Sequence, residues 1–143
     1  MEPTQDVPTL DELNAIGVGK FPGYIGFRAV AVERGRVQAE FEVGPHHLAP
    51  NGYLHAGTVV TLADTACGYG ALAHLPQGAV NFTTVELKSN VLGTARDGII
   101  ACEAAPVHLG RSTQVWDAEV TNAATSQRLA VFRCTQMVLW PKT

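Results

Sequence analysis

A single carboxylate stands inside an apolar stretch of this sequence. Residues 51–64 read NGYLHAGTVVTLAD, and Asp64 is the only charged residue between Ala56 and Ala73. A carboxylate buried without a partner costs several kcal/mol or takes up a proton. Asp64 therefore has either a structural partner, such as an arginine or a hydroxyl cap, or a chemical role.

The residues ahead of Asp64 favour a chemical role. Asn51 and His55 lead into a helix that is predicted to begin at Ala56-Gly57. The first N–H groups of a helix lack intrahelical acceptors and carry the positive end of its dipole, so they can stabilise a developing oxyanion. An acid, an amide, an imidazole and a helix N-terminus together indicate a hydrolytic site.

The separation of these groups predicts that the site is shared between subunits. Asp64 lies eight residues after Ala56, which is about 12 Å along a helix axis. Attack on a carbonyl carbon needs contacts of about 3 Å, so one subunit cannot place both groups on the same carbonyl. Two antiparallel helices of a twofold dimer can do so. A homodimer with two shared sites is the minimal unit that we expect.

Capping and turn residues divide the chain into two helices and six strands. Thr9 and Glu12 form a capping box at the start of a short helix, which Gly17 and Gly19 end. An alternation of apolar and polar residues from Val37 to Val43 predicts a strand with one wet face. The other predicted elements are a strand at Phe27–Val32, a helix at Ala56–Leu75, and strands at Val80–Lys88, Ile99–Val107, Thr113–Val120 and Arg128–Leu139.

The long helix determines the predicted fold class. A helix that is apolar nearly all round must be covered on nearly all sides. We predict an α+β hotdog-like fold, in which a curved antiparallel sheet of five or six strands wraps around this one central helix. Residues 1–26 would form a loose arm, over 1–8, and the short helix, and residues 27–143 the main domain.

Composition excludes several classes of protein. The 143 residues suit one domain, and a net charge of −3 with scattered basic residues argues against nucleic-acid binding. The three cysteines include no C-x-x-C pair, which argues against a disulfide framework or a thiolate zinc site. The sequence contains no recognisable signal peptide or membrane span. We expect a soluble cytoplasmic protein with no membrane partner.

Residues 51–66 resemble a family signature. The pattern N-G-x-x-H-A-G-x-x-x-x-L-A-D-T-A is similar to that of hotdog-fold acyl-coenzyme A (CoA) thioesterases of the PaaI-like, phenylacetate-pathway subfamily. The resemblance extends from Phe27 to the last strand and includes Gly110-Arg111-Ser112. It implies hydrolysis of acyl-CoA to the free acid and CoA by a homodimer or homotetramer. It also implies no cofactor, because CoA is part of the substrate.

The resemblance assigns roles to individual residues. Asp64 matches the catalytic carboxylate, which acts as nucleophile or as general base, and Asn51 matches a residue that orients water or substrate. His55-Ala56-Gly57 stands where the family has a His-Gly-Gly triplet, whose first glycine N–H polarises the thioester carbonyl. Thr84 matches a hydroxyl that assists the carboxylate. The candidates for binding the CoA phosphates are Arg111, Ser112 and Arg96, with Arg128 in addition.

Three other interpretations have weaker support. A metal site would need ligand spacing that the histidines do not have, so we expect His46, His47, His55, His74 and His108 to lie in solvated loops or on the surface. A hotdog dehydratase would pair His55 with Asp64. A non-enzymatic acyl-CoA sensor would use the same pocket without needing a carboxylate. The acyl group stays open between aromatic groups and short or medium aliphatic chains.

Overall fold

The computed structural model describes residues 6–143. Residues 1–5 of the predicted loose arm lie outside the described residues. The helices are α1 (Leu10–Ile16), α2 (Phe21–Tyr24) and α3 (Ala56–Ala73), with a 3₁₀ turn at Pro45–His47. The strands are β1 (Arg28–Glu33), β2 (Arg36–Glu42), β3 (Asn81–Val91), β4 (Ile99–Leu109), β5 (Thr113–Asn122) and β6 (Arg128–Leu139).

The six strands form one antiparallel sheet that curves around α3. Their order is β1-β2-β4-β5-β6-β3, which leaves β1 and β3 at the two edges. Val37, Ala39 and Phe41 of β2 are buried against the helix, as the alternation predicts. The predicted α+β class and the six strands are confirmed.

Differences from the predicted elements are local. Thr9 and Glu12 form the predicted capping box, and α1 is followed by Gly17 at its C-cap. Helix α2 was not predicted, because a single turn is too short to carry a helical periodicity. Helix α3 ends two residues earlier than predicted, since His74 is already its C-cap. None of the helices in the described residues combines the length and apolarity that a membrane span requires.

A close contact fixes the C-terminal half of α3 on the sheet. A Cβ atom at Gly70 would lie 2.6 Å from the ring of Trp116, so this position needs a glycine. Trp116 is fully buried and donates from Nε1 to Gln114 Oε1 at 2.8 Å. Gln114 Nε2 in turn donates to the backbone oxygen of His74 at 2.9 Å. The end of the helix is thereby tied to β5.

The surface placement predicted for His47 and His74 is wrong. Both are buried, and burial lowers the pKa of each ring. His74 Nε2 accepts from the Gly35 N–H at 2.8 Å, and Nδ1 donates to the Gly70 oxygen at 2.7 Å. His47 Nδ1 likewise accepts from Gly44 N–H at 2.8 Å. Backbone groups satisfy these rings, which makes burial possible.

Candidate active site

Asp64 is half-buried on α3, and one of its two carboxylate oxygens has no hydrogen-bond partner in the described residues. Its Oδ1 atom is buried and accepts no hydrogen bond from any group in residues 6–143. Burial raises the pKa of the Asp64 carboxyl above its usual value. A carboxylate in this state is a good proton acceptor, because it lacks the donors that would otherwise stabilise its charge.

The start of α3 presents one free backbone donor. His55 is the N-cap residue, and its Nδ1 accepts from the Gly57 N–H at 2.7 Å. The His55 backbone oxygen accepts from the Thr58 N–H at 3.0 Å. The N–H of exposed Ala56 has no acceptor in the described part of the chain. Of the predicted donors, Ala56 is therefore available to an oxyanion, whereas Gly57 is occupied by the cap.

Asn51 shapes the loop that leads into α3. Its Oδ1 accepts from the Tyr53 N–H at 3.1 Å, which is an Asx turn. Gly52 has a φ of +84°, and the Tyr53 oxygen accepts from Ala49 N–H at 2.7 Å to close the loop. The Asn51 oxygen thus has a local structural role, and its orientation of water or substrate stays a prediction.

Thr84 is held by a residue that sequence reasoning missed. Thr84 lies exposed on β3, and its hydroxyl donates to Gln136 Oε1 at 2.7 Å. Gln136 is fully buried on β6, between the buried Cys134 and Val138. The signal in the sequence was a glutamine at a position of β6 where the alternating pattern predicts a buried apolar residue.

The candidate CoA ligands fall at two ends of the fold. The guanidinium carbon of Arg96 lies 4.2 Å from the centre of the Tyr53 ring, beside the start of α3. Arg111 stacks on Trp140 at 4.0 Å, next to exposed Ser112 and near the other end of α3. Arg128 forms an ion pair with Glu119 at 3.0 Å. Arg96 and Arg111 each stack on an aromatic ring.

Thiols and histidines do not assemble a metal site in the described residues. No group of three or more His, Cys, Asp or Glu residues there could hold a metal ion. Cys67, Cys102 and Cys134 are buried free thiols, and burial raises the pKa of Cys102 to about 12.

Strand β3 presents a long edge that is unpaired in the described chain. It pairs with β6 on one side only, and Val85, Leu87 and Val91 are exposed along it. A long unpaired edge is a template for pairing with another strand.

Comparison with known proteins identifies the family. Residues 51–127, more than half of the chain, match the family model of the thioesterase superfamily. The chain belongs to the thioesterase superfamily. It is 35% identical over 111 residues to the 1,4-dihydroxy-2-naphthoyl-CoA hydrolase of Listeria monocytogenes, covering 78% of this chain and 89% of that protein.

Two further similarities agree with this assignment. The chain is 30% identical over 109 residues to the proofreading thioesterase EntH of Klebsiella pneumoniae, covering 76% of this chain and 79% of the relative. A mutant of the Pseudomonas aeruginosa thioesterase PA1618 superposes with a TM-score of 0.89 at 26% identity, covering 96% of this chain and 99% of that one. The predicted hotdog fold and the predicted thioesterase activity are confirmed.

The burial of Asp64 makes a prediction about stability. Because the pKa of Asp64 is raised in the folded state, the unfolded chain loses this proton first as the pH rises above about 4. The free energy of unfolding of the wild type therefore falls as the pH rises toward the folded-state pKa of Asp64. Above that pKa it has lost the full contribution. The variant Asp64→Asn should match the wild type in acid and unfold at a higher temperature at neutral pH. Thermal unfolding at a series of pH values measures this.

Asp117→Asn is the matched control for this prediction. Asp117 accepts two hydrogen bonds from Arg133 on the surface, so its loss should leave stability unchanged or lower it at neutral pH. An Asp64→Asn variant that is less stable than the wild type at neutral pH would mean that Asp64 has a structural partner after all.

Proposed function

We propose that this thioesterase hydrolyses acyl-CoA to the free acid and CoA with Asp64 as its catalytic carboxylate. The observation that supports this is the buried Asp64 Oδ1, which has no donor within residues 6–143. A thioester is already activated, so a carboxylate and an oxyanion donor can be sufficient for its hydrolysis.

Two courses of the reaction use the same carboxylate. As a general base, Asp64 takes a proton from water while the water oxygen bonds to the carbonyl carbon. As a nucleophile, its oxygen forms that bond itself and gives an anhydride that water then hydrolyses. In both, the carbonyl electron pair moves to the oxygen and returns as the C–S bond breaks. The CoA thiolate then takes up a proton.

The proposed oxyanion donor is Ala56 of a second subunit. Within one chain, Ala56 and Asp64 are eight residues apart, or about 12 Å on a helix. Pairing of two β3 edges around a twofold axis would set two α3 helices antiparallel, with Asp64 of each facing the start of the other. We propose a homodimer as the minimal unit and a homotetramer as the full assembly.

The substrate's two ends would be bound by different groups. Arg96, stacked on Tyr53 beside the helix start, and Arg111 with Ser112 are the proposed contacts of the CoA phosphates. For the acyl group we propose an aromatic ring, supported by a relative that is named as a hydrolase of 1,4-dihydroxy-2-naphthoyl-CoA. We further propose that the enzyme is cytoplasmic and PaaI-like, which is consistent with binding of CoA and of an aromatic acyl group.

The alternatives are less consistent with the site. A dehydratase would need His55 as its base, but His55 Nδ1 already accepts from the Gly57 N–H in the helix cap. A sensor would gain nothing from Asp64, whose burial without a donor is unfavourable.

Free-thiol release tests the proposed activity. Phenylacetyl-, benzoyl-, butyryl- and octanoyl-CoA should be compared with wild type and Asp64→Asn. We expect hydrolysis of at least one ester and a loss of about 10²-fold or more in kcat for Asp64→Asn, because the proton acceptor is removed. Asp117→Asn serves as the control with full activity. Hydrolysis that persists in Asp64→Asn would contradict the role of Asp64.

Subunit mixing tests whether the site is shared. Ala56→Pro removes only the proposed donor, since proline suits the first position of a helix and His55 already has the extended backbone that precedes proline (φ −67°, ψ 135°). Ala56→Gly, which keeps the N–H, is the control. Ala56→Pro and Asp64→Asn should each be inactive when measured alone.

Mixed and exchanged subunits should recover activity. Half of the dimers would combine the two variants, and each would hold one intact site, giving about a quarter of wild-type activity. If the subunits exchange but activity stays at the level of the separate variants, each site is built from one subunit.

A further inference from the structure

The geometry points to Gln136 as a positioning residue that fixes the Thr84 hydroxyl as a hydrogen-bond acceptor beside Asp64. This inference rests on the proposed function, and it adds a direction for the catalytic water. Gln136 touches neither the proposed substrate nor Asp64 in this account; it acts through Thr84.

A contact between α3 and β3 relates the position of Thr84 to that of Asp64. Gly68 lies one turn after Asp64 on the same face of α3, and a Cβ atom there would be 3.1 Å from Cζ of Phe82 on β3. Phe82 and Thr84 share the face of β3 that is turned to the helix, because they pair with Val138 and Gln136 in successive alternating positions.

Core contacts show in which direction β3 runs along α3. Val138, the partner of Phe82, packs with Leu75, whereas Cys134, the partner of Leu87, lies in the same core cluster as Cys67. Moving along β3 from Phe82 to Leu87 therefore moves toward the start of α3.

The rise per residue along a strand and along a helix gives the position of Thr84 relative to Asp64. Thr84 lies two residues past Phe82, about 6.6 Å along the strand. Asp64 lies four residues before Gly68, about 6 Å along the helix. The two displacements from the contact of Gly68 with Phe82 are similar, and on this basis we place Thr84 level with Asp64.

The Thr84 hydroxyl points its proton toward Gln136. The hydroxyl donates to Gln136 Oε1 at 2.7 Å, so only its lone pairs face the site. This agrees with Asp64 Oδ1, which receives no hydrogen bond from any described residue. Thr84 therefore cannot assist Asp64 as a donor while Gln136 holds its proton.

Two acceptors at one level suit a water molecule. A water that donates one hydrogen to Asp64 and the other to Thr84 Oγ1 directs a lone pair away from both, toward the thioester carbon. Its oxygen then bonds to that carbon, its proton passes to Asp64, and the C–S bond later breaks. This arrangement favours Asp64 as general base rather than as nucleophile.

The amide of Gln136 lies between a buried thiol and the Thr84 hydroxyl. The side chain is fully buried, and Nε2 lies 3.4 Å from Cys134 Sγ, to which it donates. Cys134 in turn belongs to the core cluster that includes Cys67 of α3. Reversing the amide would place Oε1 at the sulfur and Nε2 at Thr84.

A neighbouring glutamine provides a matched control. Gln114 of β5 pairs directly with Gln136 in the sheet and is also buried, but it bonds to His74 and Trp116 instead of Thr84. Gln136→Met and Gln114→Met therefore make a similar change in the core, and only the first changes Thr84.

The experiment measures kcat, KM and thermal unfolding with the most active of the four esters. Gln136→Met should lower kcat by about 10- to 100-fold, the effect of a misdirected reacting group, with KM near the wild-type value. Thr84→Val should lower kcat similarly, Thr84→Ser should retain it, and Gln114→Met should retain it despite a comparable loss of stability. Adding Gln136→Met to Thr84→Val should cause no further loss. Single turnover in water labelled with heavy oxygen should label the free acid and not Asp64.

Three kinetic results would overturn the inference while leaving the proposed function intact. They are full kcat in Gln136→Met, an equal loss of kcat in Gln114→Met, and effects of Gln136→Met and Thr84→Val that multiply in the double variant. Label found in Asp64 would also overturn it, because Asp64 would then be the nucleophile. A folded wild type that hydrolyses none of the four esters would overturn the proposed function itself.

Discussion

The half-buried carboxylate of Asp64 on α3 has one buried oxygen, Oδ1, that receives no hydrogen bond from any described group. Burial without donors is unfavourable and raises the pKa of the group, and the same property makes the carboxylate a stronger base. Stability must then come from elsewhere along α3, as in the packing of Gly70 against Trp116. A helix surrounded by a curved sheet can accommodate one such group, because most of its other positions are apolar and well packed.

The position of Asp64 also determines what the rest of the site requires. The free Ala56 N–H stands two turns earlier on the same helix, too far to act on the same carbonyl. In the proposed dimer, the exposed edge of β3, with Val85 and Leu87, would bring a second helix start to Asp64. In the proposed function, the exposed edge, the helix start and the carboxylate are parts of one arrangement, and pairing of two subunits would complete the site.

The sequence predicted most of what is local. The capping box at Thr9, the start of α3 and the strand alternation follow from patterns within a few residues. Burial of His74 could not be predicted, since its partner, the N–H of Gly35, comes from a hairpin far away in sequence. The link from Gln136 to Thr84 was missed for the same reason, because sheet register joins residues that local periodicity treats separately.

A crystal structure with an unreactive acyl-CoA ketone, in which a methylene group replaces the thioester sulfur, tests the central claim most directly. The measured quantities are the distances from the ketone carbon to the Asp64 carboxylate and from the ketone oxygen to each Ala56 nitrogen. The account predicts about 3 Å from the oxygen to Ala56 N of one subunit, with the carbon facing Asp64 of the other. A ketone held by Asp64 and Ala56 of the same subunit, or bound away from Asp64, would contradict it.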